Sequence, residues 1–533
     1  MTALVAPAEP ARPIWRDAAL VLFVCIIVYW LYLGAAPFAS SEGHRVIPGW
    51  MMLDSGDWSR TEMFGLNYIR KPPGMAWAIA ASSALLGQNE FAARAPSAFA
   101  CTLMALVALA FGRAWCGARG GLAAGLAQAL LPVMWVSGGA GRSAEIEALN
   151  TFCTQIAVLP LIALMLPSRA RELGTLKNAR RGAALAVLSA LGITGFALTK
   201  SLASAPCIVG AIIGICIARR SARPLACLWM WSALLLGTGA AYLALRHFGV
   251  MNYDPGAVRE EGSFLWNDPA RVVTVIPMAL LAALPASLAV LFAFGKDARA
   301  EGDSTADPAW SRCVLAARAC AFAFAASCLL YAAIGVGNHR YLLPATVFLA
   351  PIIGYVIRGL AGGGQGPFAR AGFNDERRVF FKRLIIRGPV AWAAVLLSAA
   401  LLINVAGTMR DDTDTGRAAG IALAQHLPDS ATLWADDLIE ARPDVLLYAR
   451  RAAAASGRSL TCIWAKQQML GGELPAPTAV GSFILIRTDA ESGEALRYLP
   501  AIESGRLRPL HRGKVGKYAF AVFRVAGATE VMR

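Results

Sequence analysis

Three stretches of the chain gather residue types that perform acid–base chemistry beside a bound anion. The longest begins Ser41-Glu42-Gly43-His44-Arg45, continues through Leu53-Asp54-Ser55-Gly56-Asp57-Trp58 and closes on Asn67-Tyr68-Ile69-Arg70-Lys71-Pro72-Pro73-Gly74. A carboxylate such as Glu42, set where an apolar helix ends, can take a proton from a hydroxyl or an amine; the alternative is a loop acid that is merely solvated. The second stretch is Arg142-Ser143-Ala144-Glu145-Ile146-Glu147. Acids at a helix start also serve the macrodipole, and helical residues two apart point roughly 200° from each other, so at most one of Glu145 and Glu147 faces a common site. The third group is cationic: Lys71 beside a rigid Pro-Pro, with Arg142, Lys200 and Arg340 each the only base in a short connection. Lys or Arg near bilayer depth takes a partner, and a lipid-borne phosphate suits it through charge-assisted contacts; the alternative is snorkelling to the interface. His44 and His339 each adjoin an arginine (Arg45, Arg340), and no HxxxH or His–Asp spacing argues for a metal.

The elements that position these groups are membrane spans. Of 533 residues 57% are hydrophobic and only 16% charged, with a mean hydropathy of +0.52, where a soluble domain carries about 25% charge. Such a chain cannot cover itself in polar surface. It reads as an integral membrane protein, which excludes a cytosolic enzyme, a disordered hub and a disulfide-framed secreted module. The excess of 50 Lys and Arg over 34 Asp and Glu follows from cytoplasmic loops rich in bases rather than from nucleic acid. Eleven cysteines form no CxxC pair and behave as small hydrophobes. The apolar segment Ala18–Ala36 is too long for the core of a cleavable signal peptide.

Apolar runs of roughly 17–25 residues fall at 18–36, 95–112, 120–137, 147–166, 182–199, 201–218, 224–245, 271–294, 314–336, 341–359 and 384–406, with a polar break at Thr199-Lys200-Ser201. Pro73–Gly87 is shorter and reads as interfacial or re-entrant. Leaving it out places the bases of 113–119, 169–181, 219–223, 296–312 and 370–383 on one side with Arg12 and Arg16, as the positive-inside rule requires. The expectation is therefore an α-helical polytopic membrane protein of about 11–13 transmembrane helices, N-terminus inside. Residues 1–406 form the membrane domain with a first outer loop at 37–94. Residues 407–533 form a small α/β domain outside, with strands at Thr432–Ala435, Ser482–Arg487 and Tyr518–Val525 and helices at Thr415–His426, Asp444–Arg451 and Ser492–Leu499. The glycine-rich 361–366 is an inside loop without the Lys-Ser/Thr of a phosphate loop.

An acid just after the first span, then SGDW, Tyr68-x-x-Lys71-Pro72-Pro73 and Asn89-Glu90-Phe91-Ala92-Ala93-Arg94-Ala95-Pro96-Ser97-Ala98, resembles the bacterial lipid A aminoarabinose transferases. Those belong with the protein O-mannosyltransferase-like enzymes of the GT-C glycosyltransferase fold. Arg142–Glu147 and His339-Arg340-Tyr341-Leu342-Leu343-Pro344 stand where that family has its second acidic and Arg-Tyr-Leu-Leu-Pro motifs. The likeness is dense over 37–150, thinner to 345 and architectural beyond. It implies transfer of a sugar from a polyprenyl-phosphate donor to lipid A, another glycan or a protein, on the outer face of a bacterial cytoplasmic membrane, with inversion at the anomeric carbon. It implies that Glu42 is the catalytic carboxylate, with Glu145 and Glu147 the further acids, and that Lys71, Arg70, Arg142, Lys200 and Arg340 face the donor phosphate. His44, Arg45, Tyr68, His339 and Tyr341 would contact substrate. The partners implied are the lipid-linked sugar, its acceptor and membrane lipids, with no cofactor, metal or nucleic acid. Three positions depart from the family: Ser41 stands where an ungapped alignment puts its Asp, Arg70 replaces the acid before Lys-Pro-Pro, and Lys200-Ser201-Leu202 replaces Lys-Gly-Pro. They point to a different sugar or acceptor. A transporter or flippase of a lipid-linked sugar is the competing class, and a non-catalytic scaffold the third; charge gathered at outer span ends favours the enzyme.

Overall fold

The computed structural model describes residues 13–68, 71–136, 140–166, 176–248, 286–293, 308–334, 339–361, 393–406, 415–435, 437–464, 482–489 and 494–526, with a few isolated positions between 277 and 391. Its α-helices of ten residues or more are α1 (Ile14–Cys25), α2 (Gly43–Ser55), α3 (Gly74–Leu86), α4 (Glu90–Ala129), α5 (Ile146–Met165), α6 (Leu176–Lys200), α7 (Ala205–Ala218), α8 (Leu228–His247), α9 (Pro308–Ala333), α10 (Leu349–Ala361), α11 (Ala393–Ala406), α12 (Gly416–Gln425) and α13 (Pro443–Ala455). The chain divides into two units: Met1–Leu31, Arg70–Gly74 and Ser97–Asn404 in one, Tyr32–Ile69, Met75–Pro96 and Val405–Arg533 in the other.

The first unit is helical. Among the described residues six helices are long and apolar enough to cross a membrane: Glu90–Ala129, Ile146–Met165, Asn178–Ala218, Leu228–His247, Pro308–Ala333 and Arg340–Gly359. Asn178–Ala218 contains two of the expected spans, and Glu90–Ala129 contains 95–112 and the first part of 120–137. Glu90–Ala129 turns back on itself at Gly117 (φ 75°, ψ −176°), a left-handed conformation that glycine adopts without a Cβ clash. Asn178–Ala218 is interrupted at Lys200–Ser204, where the polar break was expected. Helices approach closely through small residues; a Cβ at Gly210 or Gly214 of α7 would collide with Ala319, Ala323 or Ser327 of α9. The first span is displaced from its expected 18–36. It runs through α1 and a π-turn at Ile26–Trp30, and Tyr32 (φ 54°) breaks it. Its terminal carbonyls are taken by distant side chains, Ile27 by Asn404 and Leu31 by Arg142, an end that apolarity alone does not signal. Half of the expected 271–294 span lies outside the described residues, as does the first part of 384–406.

The second unit packs α2 and α3 of the first loop together, with Trp50 Nε1 donating to Ser83 Oγ at 2.9 Å. At 13 residues, α3 is about 20 Å long, shorter than a hydrocarbon core of about 30 Å. A small ladder of β1 (Glu62–Met63) and β2 (Leu66–Asn67) follows α2. The tail forms a five-stranded sheet from β3 (Ser430–Ala435), β4 (Ser459–Trp464), β5 (Phe483–Arg487), β6 (Leu507–Val515) and β7 (Tyr518–Val525), ordered β4-β3-β5-β7-β6. The first three strands are parallel and β6–β7 is an antiparallel hairpin. Buried Trp434, Ile484, Ile486, Tyr498, Leu507, Phe523 and Val525 make one face of its core. The three expected strands and the helices α12 and α13 are present. Strands β4 and β6 were not foreseen, because Thr461 and the bases of β6 interrupt their apolar pattern; β6 is an edge strand with exposed Arg508, Arg512 and Lys514. The helix expected at Ser492–Leu499 is two short pieces, Glu494–Arg497 and Leu499–Glu503.

Candidate functional site

In the helical unit the chemistry collects where α6 breaks. Lys200 leaves helical geometry (φ −143°, ψ 29°), Ser201 is left-handed (φ 54°), and a 3-10 turn over Ser201–Ser204 leads into α7. The break turns the Lys200 side chain inward. Its Nζ lies 3.0 Å from Glu147 Oε1 and 3.9 Å from the ring centre of Tyr341, and the Lys200 and Glu147 side chains are only 6% and 10% exposed. Tyr341 enters from the 3-10 helix His339–Phe348, with half-buried Arg340 beside it in sequence. Glu147 is in the first turn of α5, while Glu145 is its extended N-cap (φ −104°, ψ 156°) and accepts Ser97 Oγ on its carbonyl at 3.2 Å. Only Glu147 of the two joins Lys200.

The Lys71-Pro72-Pro73-Gly74 segment also reaches this break. A Cβ on Gly74 would lie 2.7 Å from the Leu198 carbonyl, so only glycine lets the backbone come so close. One turn along α5 from Glu147, Asn150 Nδ2 donates to Ser204 Oγ at 3.0 Å, and Thr154 Oγ1 bonds the same hydroxyl at 2.7 Å. Asn150 Oδ1 is buried with no hydrogen-bond partner among the described residues. Asn150 was missed from sequence; its signal was a polar side chain one turn after Glu147 in an otherwise apolar helix. Arg142, expected at a phosphate, donates to the carbonyls of Val28 and Leu31, each at 3.0 Å.

In the second unit Glu42 is 4% exposed and Arg94 5%. Arg94 Nε donates to Glu42 Oε1 at 2.8 Å and Nη2 to Oε2 at 2.9 Å, while the Ala39 N–H bonds Oε2 at 2.9 Å. Further Arg94 donors reach the carbonyls of Leu33 (3.1 Å), Ala36 (2.7 Å) and Pro37 (2.9 Å). Arg94 was visible only as part of a motif, with no role attached. The expected contact residues His44, Arg45 and Tyr68 do come together: Arg45 Nη1 donates to the Tyr68 hydroxyl at 3.0 Å, and the His44 and Tyr68 rings stack at 6.0 Å. His44 Nε2 also hydrogen-bonds the Glu440 carbonyl at 2.9 Å. Arg70 and the side chain of His339 lie outside the described residues. Among the described residues no group of three or more His, Cys, Asp or Glu could hold a metal ion.

No family model matches the chain. It is 34% identical over 131 residues to the undecaprenyl phosphate-alpha-4-amino-4-deoxy-L-arabinose arabinosyl transferase of Pseudomonas savastanoi pv. phaseolicola, a match covering 24% of each. The chain thus spans about a quarter of the length of the curated relative it matches. Among solved structures it is similar to ArnT from Cupriavidus metallidurans bound to undecaprenyl phosphate, at 16% identity and a TM-score of 0.60, over 95% of this chain and 97% of that one. The apo form of the same protein matches at 17% identity with the same score and coverage. An apo oligosaccharyltransferase of Archaeoglobus fulgidus is similar at 11% identity and a TM-score of 0.50, over 93% and 73% of the two chains. The chain therefore has the fold of these proteins, an α-helical multi-pass membrane architecture with a small C-terminal α/β sheet domain, as the resemblance implies.

Proposed function

We propose that this chain is an integral membrane glycosyltransferase that moves a sugar from a polyprenyl-phosphate donor, of the undecaprenyl-phosphate type, to lipid A or lipopolysaccharide, another envelope glycan or a protein. The observation that carries the reading is the Lys200 site. A buried ammonium stands at a helix break beside the Lys71-Pro72-Pro73-Gly74 backbone, and a solved protein of this fold was captured with undecaprenyl phosphate.

An ammonium has three donors, and Lys200 gives one to Glu147. A phosphate arriving there competes with Glu147 for the same charge, and Lys71 and Arg340 add to its hold. When the acceptor oxygen or nitrogen attacks the anomeric carbon, the carbon–oxygen bond to the phosphate breaks and its electron pair stays on the phosphate. Positive charge placed where that negative charge develops lowers the barrier. The displaced Glu147 then takes the proton from the acceptor. Glu42, held through both carboxylate oxygens by Arg94 and by the Ala39 N–H, positions the first loop. The first loop and the sheet domain, 407–533, face the outside of a bacterial cytoplasmic membrane, and the N-terminus lies in the cytoplasm; the basic clusters of the inside loops support this.

The test is mass spectrometry of envelope lipids, lipopolysaccharide and surface glycans from a deletion strain, complemented with wild type or with Lys200→Met at equal membrane abundance. A sugar increment that disappears on deletion and returns only with wild type supports the reading and names the sugar class. Full restoration by Lys200→Met would remove the site assignment, and an unchanged glycan profile with a lipid-linked sugar redistributed between leaflets would replace the enzyme with a transporter.

A further inference from the structure

The second unit contains a polar network that the chemistry at Lys200 does not use. Glu90, the first residue of α4, receives three donors on Oε1: the Tyr448 hydroxyl at 2.8 Å, Arg417 Nη2 at 2.9 Å and Arg451 Nη1 at 3.5 Å. The Tyr448 hydroxyl also accepts the Phe38 backbone N–H at 2.8 Å, and the two rings stack at 5.9 Å. Arg451 lies 5.3 Å over the Trp50 ring and Arg417 5.5 Å over that of Tyr448. Arg94, one turn along α4 from Glu90 and so on the same face, binds Glu42 and three carbonyls of the first loop.

These contacts take five backbone groups between residues 33 and 39. Regular structure resumes only at Ser40, and polar backbone groups buried outside regular structure need other partners. Arg94 takes the carbonyls of Leu33, Ala36 and Pro37, Tyr448 takes the N–H of Phe38, and Glu42 takes the N–H of Ala39. Of the three side chains, Tyr448 alone comes from the C-terminal domain. Beside it, a Cβ on Gly43 would lie 2.8 Å from Pro443, so α13 also abuts the residue that follows Glu42.

We propose that Tyr448 is a positioning residue: by bridging the Phe38 N–H to Glu90, it lets the C-terminal domain fix the 33–42 segment and so determine where Ser41 and Glu42 stand. The domain is on this account part of the machinery of the first loop, not an appended cap. Burial, followed by the nearby Glu90 carboxylate, raises the Tyr448 pKa, so the hydroxyl keeps its proton and donates to Glu90 throughout the physiological range. The kinetic half of the inference rests on the transferase reading; the structural half does not.

The experiment compares full-length wild type and Tyr448→Phe in lipid nanodiscs by hydrogen–deuterium exchange, alongside sugar transfer. Phenylalanine keeps the ring and removes only the hydroxyl. Losing that bond is expected to speed exchange of peptides over 33–42 by about tenfold, leave β3 and β5 as protected as in wild type, and lower kcat with the donor KM unchanged. Arg417→Lys, which keeps a cation on Glu90, should exchange and turn over nearly as wild type does. Unchanged exchange over 33–42 in Tyr448→Phe overturns the inference. So does faster exchange throughout the sheet, which would make Tyr448 a stability residue. If wild type transfers no sugar, the proposed function falls while the exchange pattern still decides the role of Tyr448.

Discussion

The molecule contains two buried carboxylate–cation pairs of similar separation in sequence and opposite character. Arg94 and Glu42 are 52 residues apart, Lys200 and Glu147 are 53 apart. An arginine has five N–H donors in a planar fork, and at Arg94 five hydrogen bonds run to Glu42 and to three loop carbonyls. That pair is saturated, and its geometry leaves nothing to exchange. Lys200 is a point charge with three donors, one of them on Glu147, and it stands at a broken helix. The first pair holds a fold. On the proposed function, the second trades a carboxylate for a phosphate.

The sharpest way to break this comparison is to delete each pair whole. Arg94→Met with Glu42→Gln removes both charges yet strands the carbonyls of Leu33, Ala36 and Pro37, and should destabilise the protein by about 3–5 kcal/mol. A thermal midpoint in detergent within error of wild type would show that the network is not structural. Lys200→Met with Glu147→Gln also removes a buried pair at near-equal volume, an exchange that is often neutral for stability. The midpoint should stay close to wild type while kcat/KM for sugar transfer falls roughly 10²–10³-fold, the scale for losing a charge-stabilising group. Equal losses of stability and activity in the two double variants would erase the distinction.

A finer probe leaves every charge in place. Gly74→Ala puts a methyl group 2.7 Å from the Leu198 carbonyl and pushes the Lys71-Pro72-Pro73 backbone off the end of α6. Transfer should drop about tenfold, a scale seen when reacting groups are misplaced by a fraction of an ångström, and unaltered kinetics would remove Lys71 from the site. The smallest effect is expected in the sheet domain, where the His426 and His511 rings stack at 4.0 Å. Burial and then the His426 charge lower the pKa of His511 below 6.5. A folded-state pKa below the unfolded one leaves stability complete above about pH 6.5 and removes it as the pH falls toward the depressed value. The thermal midpoint should therefore decline slightly between pH 7 and pH 5, and His511→Gln should flatten that slope; an identical slope in the variant would exclude the pair as its source.

How much of this was legible in the sequence differs between the same two regions. Around Lys200 the polar break in an apolar run, the Pro-Pro beside Lys71 and the acids at 145 and 147 all showed locally, and each lies at or next to the candidate site. Around Glu42 the acid was visible but its surroundings were not. Arg94 looked like one letter of a motif, and Tyr448 and Arg417 lay in a tail from which no residue could be singled out. Strands β4 and β6 escaped for a related reason: the exposed charges of an edge strand and the exposed Thr461 of β4 break up the apolar runs by which these strands were sought.

The sequence by itself determined that the chain belongs in a membrane, where most of its helices run and where they break, because hydropathy and backbone conformation are properties of a few neighbouring residues. It also determined the fold class, through motifs concentrated in about a fifth of the chain, 37–150. Only the tertiary structure decided which acid meets which cation, that Arg142 closes the end of the first span, and that the loop at 37–94 and the C-terminal sheet fall largely in one unit. Those pairings join residues tens to hundreds of positions apart, up to 410 between Phe38 and Tyr448. A hydrogen bond depends on distances of a few tenths of an ångström, which packing sets and local spacing does not encode.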